Sequence, residues 1–265
     1  MTLNRMMNAQ IKYFGGKNVM AKQIISYFPD KDTYDTYIEP FGGSYAVGLH
    51  MEYVPPIEIY NDLEKNVYSL YKVLQDKELF KAFKRLCELS PYDEAMRQEY
   101  KEDLRKTSEL PILNRAYMFF YVNRTSFNGI GGFTINTYIR RNTSKSISDF
   151  LSTIDGLDKM HQRLSNVIVS NMDGIELINR YRDKENVLIY NDPPYVLDTR
   201  KSSTRYKIDM DDETQNKFLN ACIGSKCKML ISGYDNEMYD LLLDNGFNKT
   251  SFTVNNRVET IWKNY

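Results

Sequence analysis

The chain has 265 residues, 42% of them apolar, and carries 35 basic and 35 acidic side chains for a formal net charge of zero. That length holds one large domain, or one domain with an insertion, and excludes a uniformly basic nucleic-acid binder. Three cysteines without a CxxC pair and two distant histidines exclude a disulfide framework and a Cys/His metal site.

The N-terminal MTLNRMMNAQIKYF lacks the apolar centre of a signal peptide, and no apolar run reaches the ~18 residues of a membrane span. A reduced, cytoplasmic protein with no membrane partner is expected. Tyr34 to Ile38 predicts a strand that runs into Glu39-Pro40-Phe41-Gly42-Gly43. Ile57 to Tyr60 predicts a second strand, which ends at Asn61-Asp62. Leu63, Val67, Leu70 and Leu74 then repeat at helical spacing. From about Asp76 the pattern turns helical, and from Asn123 to Ser148 it is rich in turns. Val167 to Val169 and Val187 to Tyr190 predict further strands, with a helix over Ile175, Ile178 and Tyr181 between them. Lys228 to Ser232 predicts a strand and Glu237 to Asp244 a helix stopped by Asn245-Gly246. The end reads as a hairpin about Asn255-Asn256. Strands alternating with helices predict an α/β fold with a mostly parallel sheet covered on both faces. Residues 1–75 and 166–265 would form that domain, and 76–165 a mostly helical insertion.

The stretch VLIYNDPPYVLD raises the chemical question. In an open parallel sheet, ligands sit beyond the carboxyl ends of the strands. Asn191 to Tyr195 falls at such an end, and the two prolines make the corner stiff. Asp192 and the Pro193 carbonyl can each accept one N–H of a planar amine, which frees its lone pair to attack. Tyr195 can stack on the ring bearing that amine, a contact worth roughly 1–3 kcal/mol per base. Read alone, DPPY is also compatible with a tight turn and a solvated acid. Gly42 and Gly43 let backbone pass close to a ligand, or simply turn from strand to helix. Asp62 can bind both hydroxyls of a ribose, or cap the helix that follows, or both.

These motifs, in this order, resemble the Dam-type (D12 class) DNA adenine N6-methyltransferases. The resemblance runs through Tyr13-Phe14-Gly15-Gly16-Lys17, Glu39-Pro40-Phe41-Gly42-Gly43, Asn61-Asp62, Asn123-Arg124, Phe127-Asn128-Gly129 and Asp192-Pro193-Pro194-Tyr195. It implies a Rossmann-like S-adenosylmethionine-dependent methyltransferase sheet with an inserted target-recognition domain. It implies methyl transfer from S-adenosylmethionine to adenine N6 in double-stranded DNA, by a bacterial or phage-encoded enzyme acting as a monomer. Catalysis would fall to Asp192, Pro193, Pro194 and Tyr195. Cofactor contacts would fall to Tyr13, Lys17, Glu39, Pro40, Phe41, Gly43, Asp62 and Asp192, with Lys17 meeting the methionine carboxylate. Tyr45 stands where the family usually has a further glycine.

An adenine inside a duplex must be flipped out to react, at a cost of a few kcal/mol. Residues 115–148 carry Arg115, Arg124, Arg140, Arg141 and Lys145 with no acid, and 199–208 carry Arg200, Lys201, Arg205 and Lys207 with none. Such segments form a basic face on a neutral chain, or a scattered solvated surface. The DNA contacts expected are Lys12, Arg124, Phe127, Asn128, Arg140, Arg141, Arg200, Lys201 and Arg205. Phe127 would wedge between bases and Asn128 pair with the orphaned base; the alternative is a core ring and a plain turn. Gly132 replaces the arginine of GATC-reading members, so that target is not expected. A cytosine-N4 methyltransferase and a non-catalytic DNA-binding relative are the rival readings. A dinucleotide oxidoreductase is disfavoured, since FGGSYAVG lacks a GxGxxG. The recognition sequence and any pairing with an endonuclease stay open.

Overall fold

The computed structural model describes residues 9, 11–12, 16–194 and 210–265. Within these the strands are β1 (Thr36–Glu39), β2 (Ile57–Asn61), β3 (Ile139–Arg140), β4 (Thr143–Ser144), β5 (Val167–Ser170), β6 (Val187–Asn191), β7 (Lys228–Gly233), β8 (Asn248–Val254) and β9 (Arg257–Lys263). Seven of them form one sheet in the order β5-β2-β1-β6-β7-β9-β8. The pairs β1–β2, β1–β6 and β6–β7 are parallel, while β7–β9 and β8–β9 are antiparallel. This is the α/β, mostly parallel sheet that the alternating pattern predicts.

The chain forms two compact units, and the first contains Lys17–Glu64 and Ser170–Tyr265. Its central strands β1 and β6 are buried along their whole length, as continuous apolar runs require when both faces are covered. Ile38 and Ile189 sit side by side in register. They share a core with Leu177, Ile178, Phe218, Leu219, Met229, Ile231 and Trp262. Asp173 and Asp211 cap the helices Gly174–Tyr181 and Asp212–Cys222, each accepting backbone N–H groups of the first turn. The expected Asn255-Asn256 hairpin forms, with both residues left-handed at φ 49° and 60°. The helix expected over 237–244 is instead a 3-10 turn, Glu237–Tyr239, followed by a short α-helix, Asp240–Asp244. Asn236 accepts the Tyr239 N–H and tightens that first turn.

Tyr45 holds a left-handed backbone, φ 55°, at the start of the helix Ala46–His50. Glycine would meet that demand without strain. Here the ring is fully buried, edge-on to Tyr60 at 5.2 Å, and its hydroxyl donates to Glu58 Oε1 at 3.2 Å. It fills the space above Gly48, where any Cβ would stand 2.4 Å from the ring. Aromatic burial of several kcal/mol outweighs a left-handed cost of roughly 1–2 kcal/mol.

The second unit contains Lys65–Val169 and the described part of Asn8–Gly16. It is mostly helical, with Asp76, Asp93 and Ser144 capping the helices Lys77–Glu88, Glu94–Lys106 and Lys145–Asp155. The helix Lys65–Gln75 belongs to it, tied to Ile112–Thr125 where Arg115 donates to Asn66 Oδ1 at 3.1 Å. Arg115 is thereby buried inside the unit and leaves the basic surface. β3 and β4 make a short hairpin turned by Arg141 and Asn142, both left-handed. Among the described residues no helix is long and apolar enough to cross a membrane, and no cluster of three metal-ligating side chains occurs.

Candidate active site

The sheet order changes direction at β1: β2 lies on one side of it and β6 on the other. Ligands in open α/β sheets bind outside the strand ends at such a switch point. Glu39 ends β1, Asn61-Asp62 follow β2, and Asp192 follows β6.

Lys17 and Ser232 both hold Asp192. Lys17 Nζ lies 3.2 Å from its Oδ1, and Ser232 Oγ on β7 donates to the same oxygen at 3.4 Å. Ser232 is itself fixed by Tyr190 Oη at 2.8 Å. The Asp192 side chain is 21% exposed, whereas Lys17 is 6% and Glu259 2% exposed. Burial, with the added repulsion of Glu259, pushes the Asp192 carboxyl up to about 6, against the pull of Lys17. Lys17 also donates to Glu259 Oε1 at 2.7 Å. Burial works against its charge, but the two carboxylates more than offset it and raise its pKa. Lys17, expected at a cofactor carboxylate, therefore has its ammonium inside the unit.

The prolines that follow are pinned as well. Gln215, fully buried on the helix Asp212–Cys222, donates to the Pro194 carbonyl at 2.6 Å, and its Oε1 accepts from Tyr239 Oη at 3.0 Å. Pro193 is buried and Pro194 half-buried. Tyr195, Arg200, Lys201 and Arg205 lie outside the described residues, as does Tyr13.

Asp62 is buried at the end of β2. Its Oδ2 accepts the Gly43 N–H and its Oδ1 the Glu64 N–H, both at 2.8 Å. It thus organises the entry to the next helix and the glycine turn at once. Burial raises its carboxyl to about 6 despite these two donors. Gly42 cannot carry a Cβ, which would stand 2.3 Å from the Tyr60 ring. Pro40 O accepts from Asn61 Nδ2 at 2.8 Å, and Phe41 packs over Gly174 and edge-on to Phe218 at 5.7 Å.

Glu39 is 2% exposed, and its Oε1 accepts from Tyr37 Oη at 2.6 Å and Gly48 N–H at 2.7 Å. Burial outweighs both donors and lifts its carboxyl to about 8, so it is protonated at neutral pH. Because the folded state holds this proton more tightly, its stabilisation is complete below about 4.5, the ordinary value, and is lost as pH rises through 8. Glu39→Gln keeps the carbonyl acceptor and removes the titration. Its stability relative to wild type should climb over that window by roughly a few kcal/mol, read by urea denaturation at about pH 5, 7 and 9. A flat difference would contradict a protonated Glu39.

Residues 13–261 match the family described as D12 class N6 adenine-specific DNA methyltransferase. The chain belongs to this family. It is 24% identical over 206 residues to the type II methyltransferase M.FokI of Planomicrobium okeanokoites, covering 74% of this chain and 30% of that protein. It is 23% identical over 239 residues to the type II methyltransferase M.CviBI of Paramecium bursaria Chlorella virus NC1A, covering 87% of this chain and 85% of that protein. The chain thus spans under a third of the first relative and most of the second.

Membership of the D12 family implies S-adenosylmethionine as methyl donor. The residues present fit it: a buried carboxylate at the end of β2, whose oxygens each accept one backbone N–H, retains acceptor capacity for a ribose diol.

In the second unit of this D12 chain, Lys12, Arg124, Phe127, Asn128, Asn136 and Lys145 line a cleft of about 220 Å³. Lys12 Nζ donates to the carbonyls of Ser126 and Arg124, at 3.1 and 3.4 Å, at the C-terminal end of the helix Ile112–Thr125. Burial, then repulsion from Arg124, lowers its pKa to about 8. Arg124 Nε and Thr134 Oγ1 are buried with no hydrogen-bond partner among the described residues, so the cleft wall has unused polar capacity. Phe127 is 63% exposed, not a core ring, and Asn128 turns the chain at φ 49°. Gly129 is obligatory there, since a Cβ would fall 2.2 Å from the Lys12 carbonyl. Arg140 and Lys145 both bind Asp149, at 2.7 and 2.6 Å, an acid just past the segment read as acid-free.

Sequence reasoning missed Glu259, Ser232 and Gln215. Glu259 left a signal: an acid heading the buried run Thr260, Ile261, Trp262 on β9.

Proposed function

We propose that the protein transfers a methyl group from S-adenosylmethionine to the N6 amine of a flipped adenine in double-stranded DNA, with Asp192 and the Pro193 carbonyl as the amine's acceptors. The observation that carries this is the fixed Asp192–Pro194 corner beyond β6, held by Lys17 and Ser232 at one end and Gln215 at the other. S-adenosylmethionine supplies an electrophilic methyl carbon on a sulfonium. Asp192 and the Pro193 carbonyl would hold the two amine N–H groups and leave the nitrogen lone pair free to form the new N–C bond, while the S–CH3 bond breaks, its electron pair stays on sulfur and the donor leaves as a neutral thioether. Asp192 then takes the proton that the methylated nitrogen sheds. Tyr195 stacks on the purine. Asp62 takes the ribose hydroxyls, and Tyr13, Glu39, Pro40, Phe41 and Gly43 shape the rest of the donor's site. Lys17 we assign to holding Asp192. The chemistry is mainly one of placement and fixed charge.

The cleft of the second unit takes the duplex backbone, with Lys12 and Arg124 on phosphate, and Phe127 and Asn128 fill the gap left by the flipped base. Arg200, Lys201 and Arg205 we assign to further phosphate contacts. The relatives' type II naming supports a site-specific modification enzyme; we take it to act as a monomer. Purified protein with labelled S-adenosylmethionine and mixed-sequence duplex should yield N6-methyladenine; label found only in cytosine would overturn the reading.

Arg140 and Arg141 are half or more exposed, at 50% and 61%. If both meet phosphate, Arg140→Ala with Arg141→Ala weakens binding on all sequences. The slope of log K against log salt should then fall by about 2, near 0.9 per contact. Fluorescence anisotropy across a salt series reads this, and an unchanged slope would remove both residues from the interface.

A further inference from the structure

Glu259 plays no part in the function as derived so far, yet it is 2% exposed and ionically bound. We infer that Glu259 is a positioning residue of the transfer site: through Lys17 it holds the Asp192 carboxylate where it receives the amine. The inference rests on the reading of Asp192 as that acceptor.

Three observations carry it. Lys17 is shared by two acids, so Glu259 is a second buried carboxylate beside the Lys17–Asp192 pair. Burying such a charge is costly. Glu259 also holds the closer contact, 2.7 Å against 3.2 Å to Asp192, so the ammonium is anchored from the β9 side. Finally, β9 pairs with β7 at Ser232↔Ile261, and Ser232 is the other donor to Asp192 Oδ1. The antiparallel β7–β9 pair thus carries both Ser232 and the residue that anchors Lys17.

The arrangement has a chemical consequence. An acceptor works through its negative charge. A lysine belonging to Asp192 alone would quench that charge; a lysine shared with Glu259 orients Asp192 and leaves it basic. Among the described residues, the ionisable groups acting on Asp192 from the surrounding elements include Lys17, Glu259, Tyr190 on β6, Glu39 on β1 and Tyr239. Of these, Glu259 and Lys17 have the largest charge effect on it.

Glu259→Gln keeps the shape and an acceptor for Lys17 and removes the charge. Lys17 then turns wholly to Asp192. The kcat for adenine methylation should fall by about tenfold, as small misplacements do, with KM for S-adenosylmethionine within about twofold. Losing a nearby like charge lets Asp192 ionise more easily, so the acid limb of the kcat profile should move down by about one pH unit. Carbon-13 NMR of labelled aspartate carboxyls in the substrate-free protein should show the Asp192 midpoint move by the same amount. Unchanged kcat and an unchanged midpoint would overturn the inference. Glu259→Asp keeps the charge but shortens the reach, so kcat should fall while the acid limb stays; it decides the matter alone if the glutamine variant does not fold, and wild-type kcat in it would overturn the proposal. Turnover in Asp192→Ala would overturn the acceptor reading, and this inference with it.

Discussion

Asp192→Ala should abolish methyl transfer while leaving the protein folded. The reaction, as proposed, asks the Asp192 carboxylate to accept an N–H of the amine and then its proton. Losing a positioned proton acceptor costs roughly 10²–10⁴-fold, and losing a fixed partner of developing charge about 10²–10³-fold. The two roles fall on one group here, so kcat should drop by at least about 10³-fold. Stability should not follow. The carboxylate is held at a pKa of about 6 because burial and Glu259 disfavour its charge. Without it, Lys17 and Glu259 remain as a matched pair at 2.7 Å. Label incorporation from S-adenosylmethionine, with thermal unfolding in parallel, measures both halves. Activity within about tenfold of wild type would remove Asp192 from the chemistry.

The second large effect belongs to Lys17→Met, and it is one of stability. This substitution removes the ammonium that lies between Asp192 and Glu259. Removing one partner of a buried ion pair costs about 3–5 kcal/mol, because the other is left uncompensated. The sign with pH follows from Asp192. Without Lys17, less offsets the burial that already holds the Asp192 carboxyl at about 6, so folding favours its protonated form, and stability is retained at low pH and lost as pH rises through that value. The variant should therefore approach wild type near about pH 4 and differ most above about pH 7. Adding Glu259→Gln should restore part of the loss, since the two changes share one network. Urea denaturation of the single and double variants tests this. A Lys17→Met protein as stable as wild type at neutral pH would mean that the triad carries no net coupling.

Much of the fold was legible because its signals are local. Four apolar residues running up to Asn191 form most of β6, and Ile175, Ile178 and Tyr181 fall on one helix as their spacing predicts. Asn255-Asn256 turns the last hairpin because both residues tolerate a left-handed backbone. The failures came where a distant partner decides the outcome. Arg115 counts as basic surface until Asn66 and the Ser108 carbonyl draw it inward. Lys17 follows a glycine pair and resembles a surface lysine until it is found 5% exposed. Tyr45 stands where glycine fits the backbone better, and only the space over Gly48 explains it.

By itself the sequence determined most of the strands, which depend on neighbours within a few residues, and the family, through motifs that keep their order along the chain. Only the tertiary structure decided which groups govern the Asp192–Pro194 corner. Lys17 and Glu259 are 242 positions apart, and Gln215 reaches Pro194 from 21 positions away. A buried charge is set by whatever surrounds it in space, and chain order carries no record of that.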